Sequence, residues 1–114
     1  MIEFIVSERC TACDRCVEVC PSNVFEPMEA GPPVIARQDD CQTCFMCELY
    51  CTADALYVGP NAYHAEPADP AAVIASGLLG QYRRDSGWDE WQDHYPNEQW
   101  LMETVFRRAA EAAR

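Results

Sequence analysis

All eight cysteines of this 114-residue chain fall into two copies of one spacing. The first is Cys10-x2-Cys13-x2-Cys16-x3-Cys20, followed by Pro21, and the second is Cys41-x2-Cys44-x2-Cys47-x3-Cys51. A shift of 31 residues carries Cys10 to Cys41, Cys13 to Cys44, Cys16 to Cys47, Cys20 to Cys51 and Phe25 to Leu56. The duplication predicts two similar halves related by a pseudo-twofold axis, each with one loop, one short helix and one strand-like run.

Three cysteines two residues apart wrap three corners of a small cube and turn backbone N–H groups toward the sulfurs. The fourth corner must come from elsewhere. The x3 spacing sets Cys20 about one helical turn past Cys16, at a rise of ~1.5 Å per residue, so it points away from the first cube and toward a second. The reading is two [4Fe-4S] cubanes with crossed ligands. Cys10, Cys13, Cys16 and Cys51 hold cluster one, and Cys41, Cys44, Cys47 and Cys20 hold cluster two. Structural zinc fits less well, because four-cysteine zinc sites use two C-x2-C pairs set apart, and one tetrahedral ion leaves three cysteines in series without a purpose. A disulfide framework calls for an oxidising compartment. Residues 1–20 contain no basic start followed by an apolar run, which places the chain in a reducing cytoplasm. A cubane held by four thiolates offers no open iron position and passes one electron at a time. The chain is therefore read as an electron carrier without catalytic residues, not as an enzyme.

Charge narrows the partners. Acidic residues number 19 against 8 basic, a net charge of −11, which argues against nucleic acid and anionic membrane surfaces and suits a positively charged protein. Ten of the acids and only three of the bases lie in residues 1–60, a balance that favours a low reduction potential. No apolar stretch approaches the ~20 residues that cross a bilayer. His64 and His94 are the only histidines, and no ligand spacing links them to each other or to the cysteines.

The chain divides near Pro60, after which no cysteine occurs. Strands are expected at Ile2–Val6, Val34–Ala36 and Leu56–Val58, with the first and last paired antiparallel. One- or two-turn helices carrying the third and fourth cysteine of each motif are expected at about Asp14–Val19 and Phe45–Leu49. Val17, Val19, Phe45, Met46 and Leu49, between the cysteines, are expected to coat the clusters. In residues 61–114, Asp69 as N-cap and Pro70 at the first helical position predict a helix over Ala71–Leu79 that Gly77 and Gly80 weaken or end. A Trp- and Tyr-rich acidic stretch, Gly87–Pro96, precedes a second helix capped by Asn97 and running to Ala113. At about 100° per residue, Leu101, Met102, Val105, Phe106, Ala109, Ala112 and Ala113 share one stripe of that helix. Folding back over the extension's own first helix or over the head, and docking on another chain, all accommodate the stripe. The aromatic richness favours docking, since Trp and Tyr concentrate in interface cores.

With these residues in view, positions 1–60 resemble the bacterial two-[4Fe-4S] ferredoxin family. The resemblance implies an α+β fold, with ββ and αα layers around two cubanes and an irregular or α-helical carboxyl-terminal extension. Thr52 departs from the family, which usually repeats there the proline found here as Pro21; proline fixes φ after the fourth ligand. A two-cluster head with a long tail is also similar in outline, through Asp40-Cys41 and the Leu56–Gly59 run, to the small subunit of adenylylsulfate reductase, although an insertion in that family's first motif is missing. This resemblance implies a subunit that relays electrons to or from the flavin of a larger, FAD-containing oxidoreductase contacted through residues 61–114. The alternative is a free soluble ferredoxin that diffuses between partners.

A head of this size buries too little apolar surface to be secure alone, so the clusters act as internal staples. Complete iron removal is therefore expected to abolish most of the head's structure, as read by circular dichroism.

Overall fold

The computed structural model describes residues 1–97 and 102–113. The first strand, β1 (Ile2–Ile5), pairs antiparallel with β4 (Leu56–Val58), in the register Ile2↔Val58, Phe4↔Tyr57 and Ile5↔Leu56, with an irregularity between Ile2 and Phe4. The expected pairing of the head's first and last strands is thus present. Between them lie α1 (Arg15–Val19), β2 (Phe25–Glu26), β3 (Val34–Ile35), a 3-10 turn at Gln38–Asp40 and α2 (Met46–Tyr50). β2 pairs antiparallel with β3, and α1 packs on α2.

Some details differ from expectation. The β2 strand was not foreseen, because two residues carry no alternation to read. Ala36 leaves β3, since its N–H and that of Arg37 both turn to the Val24 carbonyl, at 2.9 and 3.0 Å. Each cysteine motif folds as expected into a loop and a five-residue helix, but the fourth cysteine is not inside the helix. Cys20 and Cys51 follow α1 and α2 in extended backbone, at φ −66° and −84°. Pro21 explains the first, because the residue before a proline avoids the helical region.

The β1–β4 pair is apolar on both faces. Ile2, Leu56 and Val58 form the head's core with Val24, Phe25, Cys16 and Cys47, and Ile5 packs against it. Phe4, Val6 and Tyr57 belong to a second cluster, together with Val73 and Leu79 from the extension; the Phe4 and Tyr57 rings stack at 5.3 Å. A two-stranded sheet exposing that outer face to water would forfeit roughly 25 cal/mol per Å² of apolar area. The extension therefore folds back over it.

Local signals set how it does so. Asp69 caps α3 (Pro70–Ser76) by accepting from the Ala71 N–H at 3.2 Å, and Pro70 opens the helix. α3 stops earlier than the predicted Leu79, because Gly77 takes φ +80°, a conformation that costs glycine nothing. The turn aims Leu79 inward, and Gly80 at φ +75° starts α4 (Gln81–Asp85), an element the sequence did not announce. From α4, the Tyr82 ring meets Phe45 at 4.4 Å, and beyond it Trp88 meets Tyr50 edge-on at 5.1 Å. Asn97 donates to the Trp88 carbonyl at 3.1 Å.

The last described element is α5 (Met102–Ala112). Its residues 107–113 are exposed, Ala109, Ala112 and Ala113 of the expected stripe included. Asn97, the expected cap, has its side-chain amide on the Trp88 carbonyl, whereas Glu98 and Leu101 lie outside the described residues, as do the side chains of Met102, Val105 and Phe106.

Gly80 is the tightest joint between head and extension, since a Cβ there would sit 2.3 Å from Asp54 Cγ. Gly80→Ala is expected to cost at least about 1 kcal/mol through the left-handed φ alone, and more through the displaced Asp54. Thermal unfolding of the cluster-loaded protein, with faster proteolysis of residues 61–97, would register the loss.

Candidate metal centres

The backbone of the two cysteine loops repeats in a demanding conformation. Among the described residues, six non-glycine residues have positive φ, in three pairs 31 residues apart: Ala12 and Thr43 (56° and 54°), Asp14 and Phe45 (57° and 62°), Asn23 and Asp54 (54° and 50°). Each costs on the order of 1–3 kcal/mol and persists only where the surroundings over-determine it. The corners turn N–H groups onto sulfur. Ala12 N–H donates to Cys10 Sγ and Thr43 N–H to Cys41 Sγ, both at 3.4 Å. Ile2 N–H reaches Cys41 Sγ and Ala55 N–H reaches Cys51 Sγ, each at 3.3 Å.

The cysteines surround two small hollows. The first is lined by Cys10, Cys13, Cys16 and Cys51, with Ile5, Pro33, Ala55 and Leu56 among its walls. The second is lined by Cys20, Cys41, Cys44 and Cys47, with Ile2, Val24, Phe25, Phe45 and Val58. Among the described residues, no three Cys, His, Asp or Glu side chains are disposed to hold a metal ion directly. Four thiols spread around an apolar hollow, with N–H donors on their sulfurs, suit a polynuclear cluster instead.

Of the five apolar residues expected to coat the clusters, only Phe45 lines either cavity. Val19 and Leu49 are buried elsewhere. The walls come chiefly from the strands: Ile5 and Leu56 serve one cavity, and Ile2 and Val58 the other. Strand alternation was the available signal, since it places Leu56 and Val58 on one face.

Burial also shapes the thiols. It pushes Cys16 up to about 12; the Val17 N–H opposes the rise, while Cys51, Cys13 and Cys10 add to it. Burial likewise pushes Cys47 well up, with Cys44, Cys16 and Cys41 contributing and the Glu48 N–H opposing. Thiolates at these positions therefore need the positive charge of iron, which couples metal loading to deprotonation. Cys13 and Cys44 are the exposed members of the two sets, the points where electron exchange with a partner meets least protein.

Glu48 is a site residue that sequence reasoning missed. It follows Cys47 in the chain and is only 3% exposed, although it lines neither cysteine cavity. Oε2 accepts from the Val58 N–H at 3.3 Å. Burial raises its pKa, while hydrogen bonds from the Val58 and Tyr82 backbones oppose the rise. One carboxylate thus ties α2 to β4. The signal was present, because the 31-residue shift pairs Glu48 with Val17, an acid where the other half has an apolar residue. His64 and His94 are exposed, as expected.

Residues 9–56 match the 4Fe-4S dicluster domain family. Over 49 residues the chain is 46% identical to an uncharacterised ferredoxin of Methanocaldococcus jannaschii, covering 43% of this chain and 77% of that protein. The chain belongs to the ferredoxins with two 4Fe-4S clusters. A ferredoxin of Methanothermococcus thermolithotrophicus is 41% identical over 46 residues, 40% of this chain and 75% of its own length. A third similarity reaches further. One subunit of the ferredoxin:CoB-CoM heterodisulfide reductase of Methanosarcina mazei is 24% identical over 116 aligned residues, spanning 84% of this chain but 15% of that protein. No solved structure matches significantly. The protein is thus an iron–sulfur electron carrier with two [4Fe-4S] clusters, a small mixed helix-and-strand fold and, among the described residues, no helix long and apolar enough to cross a membrane.

Leu56 lines the first cavity and is 2% exposed. Leu56→Ala is expected to cost about 2–5 kcal/mol and to admit water to that cavity. Faster bleaching of the visible cluster absorption in air, relative to the parent protein, is the check.

Proposed function

We propose that the chain is an electron-transfer subunit, in which residues 1–60 form a pseudo-twofold ferredoxin head and residues 61–114 an extension that completes the head and docks a larger oxidoreductase. Cys10, Cys13, Cys16 and Cys51 hold one cluster, and Cys41, Cys44, Cys47 and Cys20 the other. The two four-cysteine cavities and the three pairs of left-handed corners 31 residues apart support both the crossed sets and the pseudo-symmetry. Crossed sets make the clusters neighbours, so single electrons pass between Cys13 and Cys44, the exposed ends of a short wire.

The observation that carries the subunit role is the reach of the third similarity. The ferredoxins match about two fifths of the chain, whereas the likeness to a heterodisulfide reductase subunit runs over 84% of it and so reaches into the extension. α5, exposed over residues 107–112, is the docking element, with Trp91 and Tyr95 ahead of it in the sequence at 58% and 75% exposure. A flavin as the partner's electron acceptor or donor rests on the outline resemblance to the small subunit of adenylylsulfate reductase, and the complex works in the reducing cytoplasm.

A freely diffusing ferredoxin is the second reading. It is favoured by the inner extension, which buries Val73 and Leu79 on its own head and so does part of its work without a partner. Transient electron-transfer contacts are small and salt-sensitive, so salt separates the readings. Tagged protein purified anaerobically from its native cell at high salt is expected to elute with a larger chain showing a flavin spectrum. Elution of a lone brown protein would establish the diffusing carrier instead.

A further inference from the structure

Arg83 joins the extension to the backbone of a cysteine. α4 carries it against the end of α2, where its side chain is 15% exposed. Nη1 donates to the Cys51 carbonyl at 3.2 Å. The same atom lies 3.9 Å from Asp54 Oδ1, and Nη2 pairs with Asp89 Oδ2 at 2.9 Å. Arg84 Nη1 is 3.7 Å from the other Asp54 oxygen. The Asp54 N–H donates to the same Cys51 carbonyl at 3.3 Å, and the Ala55 N–H to the Cys51 sulfur at 3.3 Å. Cys51 is therefore gripped at both its oxygen and its sulfur. In the first half, Pro21 fixes the chain beyond Cys20; in the second, Thr52 cannot, and Cys51 still holds a comparable extended backbone.

We propose that Arg83 is a positioning residue for the cluster held by Cys10, Cys13, Cys16 and Cys51: it locks the Cys51 backbone in place of a proline and sets a permanent positive charge beside that cluster, raising its reduction potential. The inference rests on the crossed ligand sets proposed above. Guanidinium stays charged at any working pH and binds through a rigid fork, and a charge held out of water is less screened than one on the surface. Cluster potential answers to nearby charge and hydrogen bonding. An electron arriving on that cluster meets the cation, whereas Asp54 and Asp89 act in the opposite sense. The extension thereby tunes the wire that it covers.

The test is an anaerobic NMR redox titration of the full-length, cluster-loaded protein. It follows the paramagnetically shifted β-protons of Cys13, Cys44 and Cys51 in the parent, Arg83→Gln, Arg83→Lys and Asp54→Asn proteins. Arg83→Gln is expected to lower the midpoint read at Cys13 with a smaller change at Cys44, and Arg83→Lys to recover most of the loss. Asp54→Asn, which suits the left-handed φ of 50° at that position, is expected to raise the Cys13 midpoint. Opposite shifts distinguish charge from simple disruption, which would move both variants the same way. Unchanged midpoints in variants retaining both clusters overturn the role of Arg83 and leave the ligand sets standing. Cys51 protons that titrate with Cys44 in the parent protein overturn the ligand sets themselves. Should Arg83→Gln not retain its clusters, Asp54→Asn decides alone, and an unmoved or lowered Cys13 midpoint overturns the proposal.

Discussion

The antiparallel pairing of Ile2–Ile5 with Leu56–Val58 is the constraint on which the other features depend. It joins the two ends of the head, so that the loop of each cysteine motif lies beside the helix that ends in the other motif's fourth cysteine. One face of the pair supplies walls to both cavities, through Ile5 and Leu56 for one and Ile2 and Val58 for the other. The opposite face supplies Phe4, Val6 and Tyr57 to the cluster that receives the extension. Two strands this short cannot make a stable sheet by themselves; here they are held between a metal-linked core and an apolar cover.

That arrangement changes the meaning of the extension. Its inner part is structural before it is anything else, because Val73, Leu79 and Trp88 are seated against the head's own Val6, Phe4, Tyr57 and Tyr50. Polar links follow the same route. Glu48 bonds to β4, and Arg83, from α4, bonds to a cysteine carbonyl. The outer part is different in kind, with Trp91, Tyr95 and residues 107–113 turned to solvent. Around the cysteines the exposure is graded, with Cys16 and Cys47 buried, Cys13 and Cys44 exposed and the other four in between.

Much of this could be read directly from residues. Cys10 to Cys51 named the cofactor, their 31-residue offset anticipated paired corners in the backbone, and Asp69-Pro70 marked a helix start that the structure retains. β2 and α4 could not be read, since two and five residues are too few to show a period. The coating of the cavities was assigned to the wrong neighbours for a related reason: closeness in sequence to a cysteine says little about which side chains face it. The fold-back of the inner extension was legible in principle, because Phe4 and Val6 alternate with Ile5 in a strand that needs cover on both sides, a pattern of buried sheets.

The sequence by itself determined the chemistry: eight thiols at a spacing that only a polynuclear cluster explains, a duplicated head, and strong net acidity. Those properties are carried by residue type and by short-range spacing, which survive without knowledge of the fold. Tertiary structure decided which side chains close the cavities, where Glu48 is buried, and that Arg83 meets Cys51. Each of these joins residues far apart along the chain, and such contacts are fixed by the burial of shared apolar surface, which no local pattern encodes.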